Sequence, residues 1–245
     1  MTPARHAELA ASLAATRARI AAACAAAGRD VSEITLIAVT KTRPAEDVVA
    51  LASLGQADFG ENRDQEAAPK AAAVAEATSD PVRWHFIGQL QTNKAHRVVR
   101  YASVVHSVDR VRLVRALGNA ASAAAKEGPA VPAAVPLSCL VQVSLDGDAA
   151  RGGALISQLP EIATAIEAEP GLALGGVMAV APLGVAPETA FALLRPLSDT
   201  VREVNPAATI ISAGMSGDLE AAVRNGATHL RIGTALLGNR SLPVL

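Results

Sequence analysis

Aromatic residues are scarce, with three Phe, one Trp and one Tyr among 245 residues. So few rings exclude a surface that stacks nucleic-acid bases. The 22 basic and 23 acidic residues nearly cancel, so the chain lacks the charge that attracts nucleic acids or anionic membranes. With 51% hydrophobic and 18% charged residues, the chain is too apolar to be disordered. We therefore expect a globular protein with an aliphatic core and no nucleic-acid partner.

Cysteine is also rare, because Cys24 and Cys139 are the only two thiols. Each falls in an apolar segment, so we expect two small buried side chains and neither a disulfide nor a metal site. Two long uncharged stretches, 128–145 and 170–187, contain Pro and Gly residues that would free backbone groups in lipid. Charged residues near the N-terminus occupy the positions where a signal peptide would need an apolar core, so no signal peptide is predicted. The sequence therefore predicts a cytoplasmic protein with no membrane association, and its near-neutral charge favours a monomer.

Short apolar segments alternate with helical patterns along the whole chain. The predicted strands are Ile34–Val39, Ala57–Glu61, Trp84–Gly88, Val104–Val108, Leu137–Leu145, Leu172–Val180, Thr209–Ala213 and His229–Gly233. The predicted helices are Ala7–Ala27, Ala45–Leu54, Gln65–Ala77, Asn93–Arg100, Val111–Ala125, Gly153–Ile166, Pro187–Val204 and Leu219–Asn225. This alternation predicts an α/β fold, a single (β/α)8 TIM barrel over residues 1–245, with a doubly wound sheet as the alternative. The stretch Pro129–Pro136 is predicted to be a loop inside that domain.

Lysine is uncommon among the basic residues, and its placement is therefore informative. The four lysines are Lys41, Lys70, Lys94 and Lys126. Lys41 follows the first strand and, by strand alternation, lies on the same face as Ile37 and Val39. In a barrel, the functional groups lie where strands end at their carboxyl side. Because a lysine amine can form a Schiff base and a guanidinium cannot, Lys41 is a candidate covalent ligand, with a solvated loop lysine as the alternative.

Two segments with small residues follow the seventh and eighth strands. In the first, a helix is predicted to begin near Asp218 with Ser216 as its N-cap, so that free N–H groups could bind an anion. An ordinary capped helix is the alternative. Gly233 and Thr234 add two N–H donors and a hydroxyl, and barrels often bind phosphate with these two loops. Arg231 shares a face with Gly233, and its guanidinium either points into the barrel mouth or pairs with an inward carboxylate.

A reactive lysine near a phosphate site suits pyridoxal 5'-phosphate or the sugar phosphate of a class I aldolase. Seven segments help to distinguish these ligands. They are Ala38–Pro44 (AVTKTRP), Phe59–Arg63 (FGENR), Trp84–Lys94 (WHFIGQLQTNK), His106–Asp109 (HSVD), Met178–Pro182 (MAVAP), Gly214–Asp218 (GMSGD) and Arg231–Thr234 (RIGT). In this order they resemble the YggS/PROSC-type pyridoxal phosphate homeostasis proteins, and they are spread over most of the chain. The resemblance implies a barrel similar to the N-terminal domain of alanine racemase.

The same resemblance implies pyridoxal 5'-phosphate as the cofactor, held by Lys41 as an internal aldimine. Ser216, Gly233 and Thr234 would bind the phosphate, and Arg231 would face the pyridine nitrogen. No metal ligands are implied.

Further residues of the family pattern have less defined roles. Asn62 and His85 would line the pocket, with a core histidine whose hydrogen bonds are satisfied as the alternative for His85. The Lys94 segment is interpreted either as the start of a surface helix or as a second anion site. The pattern is followed only loosely near Gly152 and Gly153, so that loop has no predicted role.

The implied function is pyridoxal phosphate homeostasis, in which the protein buffers the cofactor and passes it to apo-enzymes with little or no catalysis. An arginine beside the pyridine nitrogen keeps that nitrogen unprotonated, which makes the ring a weak electron sink. Tyr101, the single tyrosine, falls at the end of a helical pattern and is poorly placed as a general base. The alternative is a single-domain amino-acid racemase that uses the same cofactor. A cofactor-free Schiff-base aldolase is disfavoured by the family segments.

Overall fold

Eight parallel strands form a closed barrel in a computed structural model that describes residues 1–127, 136–148 and 152–238. The strands pair in chain order, and the first strand also pairs with the eighth. They are β1 (Thr35–Val39), β2 (Asp58–Glu61), β3 (Arg83–Phe86), β4 (Ala102–Val108), β5 (Leu137–Gln142), β6 (Leu172–Met178), β7 (Ile210–Ser212) and β8 (His229–Ile232). The predicted (β/α)8 barrel is therefore confirmed.

Helices cover the outside of the barrel, α1 before the first strand and the others after the strands. They are α1 (Pro3–Ala27), α2 (Ala45–Ser53), α3 (Asp64–Ala77), α4 (Ala95–Val98), α5 (Val111–Glu127), α6 (Leu159–Ala168), α7 (Pro187–Phe191), α8 (Leu194–Val204), α9 (Leu219–Arg224) and α10 (Thr234–Leu237). Outward strand side chains such as Ala38, Phe59 and Trp84 join one hydrophobic core with these helices. Cys24 and Cys139 are buried there, as predicted, and both are free thiols.

Helix α1 begins earlier than predicted because Thr2 caps it and Pro3 occupies its first turn. It ends at Gly28, which directly follows the predicted helix and adopts the left-handed conformation with φ of 65°. By length and apolar composition alone, α1 could cross a membrane, and it is the one such helix among the described residues. In this fold its buried face, which includes Leu9 and Leu13, packs beside α2, α9 and α10.

Two other predicted helices differ from the structure. The helix expected from Gly153 begins only at Leu159, because Gly152 and Gly153 adopt φ of 73° and 100°, which a helix cannot contain. The helix expected over residues 187–204 is divided into α7 and α8. The predicted loop Pro129–Pro136 lies almost entirely outside the described residues.

Candidate functional site

Lys41 lies in a tight turn directly after β1. The turn is closed by the Arg43 N–H, which donates to the Thr40 carbonyl oxygen at 3.0 Å. Thr42 has φ of 63° and is the only residue other than glycine with a positive φ in the described part of the chain. A β-branched residue is disfavoured there, so the turn needs support from its surroundings. Glu66 on α3 gives that support by accepting the Thr42 N–H at 2.5 Å.

A buried cluster of charged groups lies beneath the Lys41 turn. Lys70 Nζ contacts Glu61 Oε1 at 2.6 Å, Glu66 Oε1 at 2.8 Å and the Thr40 carbonyl oxygen at 2.9 Å. The Thr40 hydroxyl donates to the same Glu61 oxygen at 2.7 Å. Burial raises the pKa of Glu61, against the opposing effect of the Lys70 ammonium. Lys70 is therefore a structural lysine that ties α3 to the turn carrying Lys41, and sequence reasoning gave it no role.

The predicted phosphate-binding residues meet at the same edge of the barrel as Lys41. Ser216 Oγ accepts the Ala235 N–H at 3.2 Å, which joins the loop after β7 to α10 after β8. Gly233 lies against the end of β1, because a Cβ atom placed on it would be 3.5 Å from Cβ of Val39. Since Lys41 follows Val39 by two residues, it lies at the same edge of the barrel as Gly233 and the Ser216 loop. Thr234 begins α10 in this same group.

Ser216 is not the helix N-cap that the sequence predicted. Helix α9 begins at Leu219 with Asp218 as its N-cap, and Asp218 Oδ1 accepts the Met215 N–H at 2.5 Å. The prediction was wrong because the Ser216 hydroxyl bonds across to α10. Arg19 on α1 holds the loop from outside by donating to the Ser216 carbonyl oxygen at 2.7 Å, and it is itself fixed by both oxygens of Glu220. Arg19 is one of three arginines on α1, with Arg5 and Arg17, and nothing in the local sequence distinguishes it for this role.

Arg231 lies at the carboxyl end of β8 with only 5% of its surface exposed. Its guanidinium donates to Ser212 Oγ at 2.6 Å and to the Ala179 carbonyl oxygen at 3.0 Å. Burial lowers the pKa of Arg231 to about 10, so the group remains a cation at neutral pH. The sequence predicted that the Arg231 guanidinium either points into the barrel mouth or pairs with an inward carboxylate. No carboxylate is hydrogen-bonded to it among the described residues.

His85 lies in the barrel interior and is 2% exposed. Both ring nitrogens are engaged, Nε2 with Asp58 Oδ1 at 2.9 Å and Nδ1 with His106 Nε2 at 2.9 Å. These are the contacts of a core histidine with satisfied hydrogen bonds, which was the alternative interpretation of this residue. A cofactor contact by His85 stays a prediction.

Asn62 follows β2, and its Oδ1 atom is buried with no hydrogen-bond partner in the described residues. Only glycine fits at position 88, because a Cβ atom there would be 2.1 Å from the Asn62 carbonyl oxygen. A buried oxygen without a donor costs about 1–3 kcal/mol, so Asn62 has an acceptor available for a ligand.

The structure places Lys94, Tyr101 and the loop near Gly153 outside this group of residues. Lys94 ends a short 3-10 turn and directly precedes α4, so it is at a helix start, which was one of its two interpretations. Ala154, next to Gly153, forms a parallel bridge with Val143 after β5. Tyr101 is buried immediately before β4, its hydroxyl has no partner in the described residues, and burial raises its pKa.

Comparisons with known proteins agree with the fold. The family model for the alanine racemase N-terminal domain matches residues 11–241. The pyridoxal phosphate homeostasis protein of Mycobacterium tuberculosis is 46% identical to this chain, with 98% of this chain and 96% of the relative covered. The chain belongs to the pyridoxal phosphate homeostasis protein family. The Escherichia coli member is 35% identical over 95% of this chain and 97% of its own length.

Solved structures extend the comparison. PipY of Synechococcus elongatus, solved with PLP bound, is 31% identical and matches with a TM-score of 0.78 over 94% of this chain and 100% of its own. Alanine racemase of Streptomyces coelicolor matches 94% of this chain with a TM-score of 0.71, over 58% of its own length. At 17% identity this racemase shares the fold alone.

Proposed function

We propose that this protein binds pyridoxal 5'-phosphate covalently through Lys41, buffers it inside the cell and passes it to apo-enzymes. The observation that carries the proposal is the meeting of Lys41, the Ser216 loop and Arg231 at the carboxyl edge of one barrel. Relatives that share 35% and 46% of this sequence are named pyridoxal phosphate homeostasis proteins, and PipY was solved with PLP bound. The chemistry of the edge and the family therefore agree.

The groups at this edge suit a phosphorylated pyridine aldehyde. The Ser216 hydroxyl, the Thr234 hydroxyl and the backbone N–H groups of Gly233 and Thr234 would donate to the phosphate. The Lys41 amine would condense with the aldehyde carbon, and the aldehyde oxygen would leave as water. Arg231, which has donors and no acceptor, would face the ring nitrogen. The unpartnered oxygen of Asn62 would accept a hydrogen bond from a hydroxyl of the cofactor.

The residues of this chain disfavour catalysis. When bound, the cofactor supplies an electrophilic aldehyde and a ring that can accept electrons. Arg231 keeps its own proton, since its pKa stays near 10, and its charge opposes protonation of the ring nitrogen beside it. Tyr101 precedes the amino end of β4, whereas Lys41 follows the carboxyl end of β1, so the tyrosine is a poor second acid or base. We infer a carrier, and we expect a cytoplasmic monomer.

Borohydride reduction followed by peptide mapping tests the covalent bond. The purified protein is loaded with pyridoxal 5'-phosphate, its visible absorption is recorded, and the bond is then reduced. We expect the pyridoxyl group on Lys41, loss of the visible band in Lys41→Ala, and an unchanged band in the control Lys126→Ala. A label found only on Lys70, Lys94 or Lys126 would refute the assignment.

Proton exchange in deuterated water separates a carrier from a racemase. A carrier should transfer its cofactor to an apo-enzyme acceptor while the α-protons of amino acids stay in place. Exchange on the order of 1 per second or faster, abolished by Lys41→Ala, would establish the racemase alternative.

A further inference from the structure

Five polar side chains form one hydrogen-bonded chain through the barrel interior. From β8 to β2, its members are Arg231, Ser212, His106, His85 and Asp58. The four contacts measure 2.6, 2.9, 2.9 and 2.9 Å. The contact between His106 on β4 and Ser212 on β7 joins strands that are not neighbours, so the chain crosses the barrel. Each member is at most 7% exposed, which keeps water from competing with these bonds.

Because the Asp58 carboxylate only accepts, the donors and acceptors allow one arrangement in which each histidine ring carries a single hydrogen. A guanidinium only donates, so Ser212 Oγ accepts from Arg231 and can donate its own hydrogen to His106 Nδ1. Burial lowers the pKa of His106 well below its ordinary value, which favours the neutral ring. A neutral ring that accepts from Ser212 at Nδ1 carries its hydrogen on Nε2. That hydrogen is donated to His85 Nδ1. His85 then carries its hydrogen on Nε2 and donates it to Asp58.

The two ends of the chain carry opposite charges. Arg231 is a buried cation with no carboxylate hydrogen-bonded to it among the described residues, so it lacks the bidentate contact that usually fixes a guanidinium. Arg83 donates two hydrogen bonds to the Asp58 carboxylate, from Nε at 2.9 Å and from Nη2 at 2.7 Å. Although burial opposes it, the bonds from His85 and Arg83 lower the pKa of Asp58 to about 2. All four bonds therefore run from the cation toward a permanent carboxylate.

We propose that Asp58, His85, His106 and Ser212 are positioning residues that orient Arg231 toward the ring nitrogen of the bound cofactor. The proposal rests on the proposed function and gives these residues a role that acts through Arg231. Because the bonds polarise one another, removing the charge at Asp58 weakens the hold on Arg231 at the other end. Asp58 begins β2, whereas Arg231 is near the carboxyl end of β8. The effect of Asp58 on Arg231 would therefore extend from the amino end of the barrel to its carboxyl end.

The first test uses the cofactor-free protein. Nitrogen-15 NMR of the histidine side chains should show the hydrogen on Nε2 in both His85 and His106. Ser212→Ala removes the donor to His106 Nδ1 and should shift the His106 signals. Ser107→Ala is the matched control, because Ser107 is buried beside His106 and its hydroxyl has no partner in the described residues. A hydrogen on Nδ1 of either ring in the wild-type protein would overturn the chain.

The second test measures cofactor affinity and visible absorption. Ser212→Ala and Asp58→Asn should each weaken binding about tenfold and move the absorption maximum, whereas Ser107→Ala stays within about twofold. Circular dichroism checks that each variant is folded. If Asp58→Asn does not fold, the test depends on Ser212→Ala, which loses a single oxygen atom. Wild-type affinity and absorption in a folded Ser212→Ala with the cofactor on Lys41 would refute the positioning proposal alone. Absence of cofactor from Lys41 in the wild-type protein would instead refute the proposed function.

Discussion

Replacing Lys70 with methionine should destabilise the protein strongly and disturb the Lys41 turn. Lys70 Nζ is bonded to the Glu61 carboxylate at 2.6 Å, and the Glu61 side chain is completely buried. Methionine keeps most of the volume of lysine but removes the charge and the three donors. The change therefore leaves a carboxylate in the interior without its cation.

Breaking a buried ion pair by removing one partner costs about 3–5 kcal/mol, a large share of the roughly 5–15 kcal/mol by which a protein is stable. The penalty comes from the remaining charge, so Glu61→Gln together with Lys70→Met should be more stable than Lys70→Met alone. We expect the double-mutant cycle to give a coupling free energy of about 1–3 kcal/mol. Loss of the Lys70 ammonium should also raise the pKa of Glu61 further. A carboxyl group with a raised native pKa binds a proton more tightly in the folded state than in the unfolded state, so lowering the pH stabilises the folded state. The unfolding free energy that Lys70→Met loses relative to wild type should therefore shrink as pH falls below 7.

Urea unfolding at pH 7 and at pH 5 measures these free energies, and borohydride trapping on the folded variants reports the Lys41 turn. Lys126→Met on the exposed end of α5 is the matched lysine control and should change stability by less than about 0.5 kcal/mol. A Lys70→Met variant within about 1 kcal/mol of wild type would refute the role given to the buried pair. A double variant no more stable than the single one would refute its electrostatic origin.

Three further changes test other parts of the structure. Arg19→Gln should weaken cofactor binding several-fold, since it releases the Ser216 carbonyl, and titration of the visible band measures this. Gly88→Ala should lower the unfolding free energy by about 2–4 kcal/mol because its Cβ would be 2.1 Å from a backbone oxygen, whereas Gly217→Ala, with nothing within 4 Å, should be neutral in urea unfolding. Burial lowers the pKa of His229 to about 4, so the unfolded chain takes up a proton first as pH falls from about 6.5. Stability should then fall by up to about 1.4 kcal/mol per pH unit until pH 4, and His229→Gln should reduce that slope. Equal slopes for His229→Gln and wild type would contradict this.

The barrel and the position of Lys41 could be predicted because both depend on local pattern. Apolar segments of five to nine residues between helical stretches are enough to count eight strands. The turn of Lys41 could not be predicted, because nothing in Thr42 itself indicates a positive φ. Its conformation depends on Glu66 and Lys70, more than twenty residues away on α3, and tertiary contacts of this kind override local preference.

The polar chain through the barrel depends on closure, which no local pattern encodes. Asp58 and Arg231 are on strands at distant points of the sequence, and only the closed order of strands lets His106 on β4 meet Ser212 on β7. A weaker signal was nevertheless present. A barrel interior normally takes Val, Ile and Leu, so polar residues at inward positions of several strands have to satisfy one another. Because Arg231 is buried and no carboxylate is hydrogen-bonded to it among residues 1–127, 136–148 and 152–238, its guanidinium depends on neutral acceptors. These are the Ser212 hydroxyl on β7 and the Ala179 carbonyl oxygen after β6.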